Sequence, residues 1–209
     1  MNNTLSRCEE WVNSMTHYFG VVLSLIGSGA LAVHSYKSGN TGYFVGSLVF
    51  CFSLVLLYSM SGTYHILYNG KAKRIFKILD HSAIYILISG SYTPYLLGVF
   101  DGEIKWVLFF IQWGMTLFGI VFKLFFTGRF KFVSTLIYLI MGWMIVFVFK
   151  DLKLLITPLS LKLLILGGVS YSVGTIFYMM KNCRFSHGVW HLFVLAGSIF
   201  NYLSIYTIL

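Results

Sequence analysis

Seven apolar runs, each about long enough to cross a hydrocarbon layer, follow one another along the chain. They span Ser14–Tyr36, Gly42–Tyr64, His81–Val99, Lys105–Phe125, Phe132–Phe149, Leu161–Met180 and His187–Ile208. A backbone in lipid must satisfy its own polar groups, and runs of this length do so as helices. The expected fold is therefore an all-α membrane protein, with one seven-helix transmembrane domain over residues 1–209. Composition agrees: 10% of the residues are charged, where a soluble domain carries about 25%. The polar start, Met1 to Asn13, carries Glu9 and Glu10 and lacks both the basic beginning and the small-residue cleavage site of a signal peptide. The first run is expected to stay as an anchor.

The charged residues fall mainly between the runs. There are 15 Lys and Arg against 6 Asp and Glu. In a soluble protein that excess would suggest nucleic acid. Here short basic loops point to topology control and anionic headgroups, so membrane lipids and not nucleic acid are the expected partners. With the N-terminus cytoplasmic, the inner segments hold Arg7, Lys71, Lys73, Arg74, Lys77, Lys123, Arg129, Lys131, Lys181 and Arg184. The outer segments hold Lys37, Lys105, Lys150, Lys153 and Lys162. The bias predicts the N-terminus in and the C-terminus out.

That orientation gathers chemistry at one depth. His65 ends the second run with Ser61 one turn before it, Asp80 precedes the third, and His187 and His191 open the seventh at i, i+4. The last two imidazoles project from one helix face. With His65 they make three nitrogens, which leaves the fourth tetrahedral position of a zinc ion open to water. Zinc lowers the pKa of such a water towards about 7. Asp80 is placed to act as general base, with Ser61 beside it. Three histidines suit zinc, although other metals also accept imidazole. The bland alternatives are unmetallated interfacial imidazoles and an Asp80 that merely caps a helix. His81 is a weaker ligand, because it lies about 100° around the helix from Asp80. Glu10 and His17 share the depth, with His17 read as a polar contact between helices. His34 lies at the opposite end and is excluded.

Other features read as structural. Gly42 and Gly46 have the spacing for close helix packing, and Gly167, Gly168 and Gly174 repeat the theme. Pro94 is expected to kink the third helix, with neighbouring hydroxyls covering the freed carbonyl. Tyr138, Gly142 and Trp143 are candidates for the bundle interior. Cys8, Cys51 and Cys183 form no disulfide framework, and Cys51 reads as a packing residue.

The ordered pattern Glu10-x-x-Asn13-x-x-Thr16-His17, Ser61-x-x-x-His65, Leu79-Asp80-His81, Gly90-Ser91-Tyr92-Thr93-Pro94 and His187-x-x-Trp190-His191 resembles the bacterial hemolysin III family. That family is related to the progestin and adiponectin receptors and, more distantly, to alkaline ceramidases. The resemblance implies a multi-pass protein of the bacterial plasma membrane with zinc near the cytoplasmic side. It implies His65, His187 and His191 as ligands, with Asp80 and Ser61 at the metal's water. It further implies a ceramidase-like hydrolase acting on a lipid amide or ester, the acyl chain lying within the bundle, and so an influence on membrane lipid homeostasis. A non-catalytic regulator with structural zinc is the alternative. A pore-forming haemolysin ranks below both, because no amphipathic pore-forming segment is present.

Overall fold

Helix begins well before the apolar pattern does. The computed structural model describes residues 6–180 and 183–208. Lys181 and the first five residues of the polar start lie outside them. The first helix, α1, covers Arg7–Lys37. The Ser6 hydroxyl accepts from the Glu9 amide at 3.3 Å, and the Glu9 carboxylate accepts from the Ser6 amide at 2.8 Å. This reciprocal capping box satisfies two otherwise orphaned donors and fixes where α1 starts. Helix α2 covers Thr41–Ile66, with Asn40 accepting from the Tyr43 amide as its cap.

Helix α3 covers Lys71–Gly98, which corrects the placement of Asp80. The residue does not open or cap the helix; it lies about two and a half turns inside it. Good helix formers fill the extra turns, as in Lys71-Ala72-Lys73-Arg74, so helix persists where hydropathy stops. The helix continues unbroken through Pro94. Thr93 donates to the Ser89 carbonyl and Ser91 to the Ile88 carbonyl, both at 2.7 Å.

Helix α4 covers Glu103–Phe126. The fifth crossing departs from the expected single run. It comprises α5 (Lys131–Gly142), a 3-10 segment (Met144–Val148) and α6 (Phe149–Leu155). The Tyr92 hydroxyl is inserted at the break. It donates to the Gly142 carbonyl at 2.7 Å and accepts from the Ile145 amide at 3.0 Å. A side chain set into the backbone ladder is a recognised cause of such breaks. Helix α7 covers Pro158–Met179, with Pro158 in its first turn and Thr157 capping the Ser160 amide. Helix α8 covers Ser186–Tyr206.

Among the described residues there is no strand. Six crossings are long and apolar enough to span a membrane on length and composition. The seventh, α3, is less apolar because it carries Asp80, Ser82, Ser89 and Thr93, all buried. It tolerates them by packing against α2, α4 and α5. Helix α2 lies between α1 and α3, α1 also meets α8, α8 meets α7, and α7 meets α5. The order closes a ring around a central cavity.

Glycines let the helices approach. A Cβ built on Gly42 would stand 1.9 Å from the Leu97 carbonyl oxygen, and one on Gly46 would stand 2.6 Å from Pro94 Cα. Gly167 and Gly174 press likewise against Asn201 and Phe193 of α8. Gly168 is looser, with Trp143 at 3.9 Å. All three cysteines are free, and only Cys51 is buried. Backbone against backbone cannot yield, so Gly42→Ala should destabilise the detergent-solubilised protein by about 1–3 kcal/mol. Thermal unfolding beside Gly29→Ala, whose site has nothing within 4 Å, checks this; equal midpoints would refute the close-packing account.

Candidate metal centre

Two adjacent carboxylates on α1 organise the ends of three other elements. Glu9 accepts from the Phe185 amide at 2.9 Å. Phe185 is the N-cap of α8 and takes a left-handed φ of 59°, so this bond holds a conformation that a phenylalanine disfavours. It ties the start of α8 to the start of α1. Glu10 accepts from His65 Nδ1 at 2.6 Å and from Lys73 Nζ at 2.8 Å. Lys73 also donates to the Leu67 carbonyl at the end of α2. The α2 terminus, the start of α3 and the His65 ring are thereby referred to one side chain.

The consequences for the histidines are geometric. With Nδ1–H directed at Glu10, His65 presents the lone pair of Nε2. That atom lies 3.2 Å from His187 Nε2. On α8, His191 Nδ1 lies 3.1 Å from the Asn13 carbonyl oxygen and 3.3 Å from Thr16 Oγ1. Its Nδ1–H is thus used, and Nε2 is left to point inward. One ligand atom from each of His65, His187 and His191 falls within 4.8 Å of the others. Tetrahedral Zn–N bonds of about 2.0–2.1 Å place ligand nitrogens about 3.3 Å apart, so the donor set fits a zinc ion. A carboxylate behind one ligand and a backbone carbonyl behind another is the usual support for metal-bound imidazole.

The three residues stand at one end of a cavity of about 490 Å³. Ser61 and Asp80 line it too. Asp80 is outside the three-histidine group, and its carboxylate lies 3.6 Å from His81 Nδ1. The shorter contact of His81 Nδ1 is 2.6 Å, to the Lys77 carbonyl of its own helix. Further along, the cavity is lined by Leu87, Ile88, Ile145, Val146 and Leu164. Tyr138, Gly142 and Trp143 line it as well.

His17 differs from the expected polar contact between helices. It is 3% exposed, stacks on His191 with ring centroids 3.6 Å apart, and has no hydrogen-bond partner at either nitrogen. His34 lies at the far end of α1, stacked on Tyr206 at the other end of α8 from His187. Sequence reasoning placed Glu10 by depth and missed its bond to His65. The available signal was the i, i+3, i+7 spacing of Glu10, Asn13 and His17, which sets all three on one face of α1.

Residues 5–202 match the family described as Haemolysin-III related. Hemolysin-3 of Bacillus cereus is 44% identical over 190 residues, which is 91% of this chain and 87% of that protein. The Hemolysin-3 homolog of Bacillus subtilis (strain 168) is also 44% identical, over 91% of this chain and 89% of the relative. At greater distance, the human monocyte to macrophage differentiation factor is 26% identical over 208 residues, covering 95% of this chain and 83% of its own. No solved structure gives a significant match. A seven-helix bundle with this histidine group, matched over nearly its whole length, belongs to the haemolysin-III related family and is a multi-pass protein of the bacterial plasma membrane.

Proposed function

We propose that the protein is a zinc-dependent intramembrane hydrolase acting on a lipid amide or ester, and that it thereby adjusts membrane lipid composition. The observation that carries this reading is the convergence of three histidine nitrogens at one end of a cavity whose other lining is largely apolar. The polar end suits a scissile carbonyl, and the apolar part suits an acyl chain.

His65, His187 and His191 hold the metal. When bound, zinc supplies Lewis acidity to a carbonyl oxygen and makes water more acidic at its open position. Glu10 keeps the His65 ring turned inward, and the Asn13 carbonyl does the same for His191. Asp80 takes a proton from the attacking water and returns it to the leaving nitrogen or oxygen. Ser61, one turn before His65, orients that water. The Leu and Ile side chains hold the acyl chain and keep bulk water from the bore. On this reading the histidine end faces the cytoplasm, because the α4–α5 connection and the first turns of α3 and α5 beside it carry Arg129, Lys71, Lys73, Arg74 and Lys131.

Elemental analysis of protein purified in detergent without chelator should find about one zinc per chain. His65→Ala and His191→Ala should lose it. Glu10→Gln should keep the fold and weaken zinc binding about 10–100-fold, as loss of a ligand's supporting carboxylate does. A folded, metal-free wild type would overturn the zinc assignment. In a screen of acyl amides and esters, Asp80→Ala should retain zinc and lose about 10²–10⁴-fold in turnover. Undiminished turnover would remove Asp80 from the mechanism, and zinc without turnover on any acyl lipid would leave a structural metal.

A further inference from the structure

One buried ring at the histidine end is neither a ligand nor used by the hydrolytic reading. His17 lies on α1, lines the cavity and is outside the three-histidine group. Among the described residues it is the one cavity-lining side chain whose buried polar atoms lack a hydrogen-bond partner. Hydrogen bonding therefore does not account for its place, whereas its ring contacts do. The His65, His187 and His191 rings meet one another tilted or edge to face, with centroids between 4.7 Å and 5.0 Å apart. His17 instead lies flat on His191, with centroids 3.6 Å apart and an angle of 10° between the rings. Two neutral aromatic rings prefer an offset or edge-on arrangement to a face-to-face one. The overlap becomes favourable when one ring loses electron density to a cation, as His191 does on binding a metal, by the same electrostatics that draws a cation to an aromatic face.

His17 is itself held in place. Tyr58 of α2 meets it edge on, with centroids 5.1 Å apart and an angle of 79°. Tyr58 is buried, and its hydroxyl donates to Ser198 Oγ at 2.7 Å. Tyr171 of α7 reaches the same Ser198 hydroxyl at 2.9 Å. Gly20, on α1 one turn after His17, lies so close to the Tyr58 ring that a Cβ there would stand 2.6 Å from it. Ser198 lies two turns beyond His191 on α8. The contacts form a closed loop, from His191 to His17, Tyr58 and Ser198 and back along α8. In a close-packed interior neither imidazole turns without displacing the next ring.

Resting on the reading of the three histidines as a metal centre, we propose that His17 is a positioning residue: its ring face, braced by Tyr58, fixes the plane of the His191 imidazole. The hydrogen bond from His191 Nδ1 to the Asn13 carbonyl anchors one corner of that ring and leaves rotation about the bond open. The stack removes that rotation and so aims Nε2 at the shared centre. It also favours the metal-bound ring over the free one and so adds to metal affinity. The role belongs to the ring face and needs neither nitrogen, so another flat aromatic ring should serve.

The test uses the full-length protein in detergent, stripped of metal and reloaded. Zinc affinity is read by competition with a chromophoric chelator. The visible absorption of the cobalt(II)-loaded protein reports the geometry of the ligands. His17→Ala should weaken zinc binding about tenfold, as loss of a ligand's supporting partner does, and should shift the cobalt bands. His17→Phe, which keeps a flat ring and lacks both nitrogens, should restore affinity and bands to near those of the wild type. Each variant is checked for folding by its unfolding midpoint. His17→Gln, of similar reach but without a ring, replaces His17→Ala if that protein does not fold, and the ringless variant decides alone if His17→Phe does not. A folded ringless variant with wild-type affinity and bands overturns the proposal. So does a folded His17→Phe protein as impaired as the ringless one, which would assign the role to the nitrogens. A wild type that binds neither metal overturns the stack's role along with the metal centre. Failure of the hydrolase reading is seen separately, as metal without turnover on any acyl lipid, and moves neither readout.

Discussion

The Glu10–His65 contact is the interaction on which the site most depends. Helices in lipid gain no hydrophobic drive to associate, because acyl chains are as apolar as leucine. Polar contacts and close packing must then define which helix ends meet. Glu10 joins α1, the end of α2 and the start of α3 through one carboxylate at 2.6 Å and 2.8 Å from its two partners. Glu9, its neighbour in sequence, reaches the opposite way and fixes the cap of α8. Each histidine-bearing helix is thereby positioned from α1. The three histidines converge because one turn of α1 holds both of the helices that carry them.

The cavity follows from a different constraint. Bare glycine backbones draw α2 onto α3, and glycines of α7 draw it onto α8. Two tightly packed pairs result, and α1 links them on one side. On the other side α5 bridges α3 to α7 with fewer contacts, and the crossing that contains it is interrupted by Tyr92. Space is left where packing is least dense. The break also places Gly142, Ile145 and Val146 along the lining, which a straight helix would present differently.

Much of this was legible in the sequence, for a physical reason. Length and apolarity report directly on membrane crossings, so seven runs gave seven crossings. The i, i+4 histidines reported a shared face, and basic loops at one depth suggested that His65 and Asp80 belonged with them. Helix starts were misplaced at α1 and α3 because hydropathy marks where lipid begins, whereas capping and propensity mark where helix begins. Ser6 and Glu9 carry a readable capping signal, and the run Lys71 to Lys77 is made of helix formers. The break at Tyr92 was not legible, since it depends on a phenol some fifty residues away in sequence. The same holds for Glu10 and His65, separated by 55 residues.

The placement of the polar groups bears on how so apolar a protein can do chemistry at all. A hydrolytic site at mid-membrane would need water carried through lipid. The histidines and Asp80 line one cavity, and on the proposed reading water would reach them from the end of the bundle that carries the α2–α3 and α4–α5 connections. The apolar lining begins beyond them. A lipid entering head-last would put its chain among Leu87, Ile88 and Leu164 and its linkage near the histidines. The order of polar and apolar surface along the cavity then matches that along an acyl lipid. That correspondence, more than the histidines alone, is the argument for the proposed lipid reading over a metal that only braces helices.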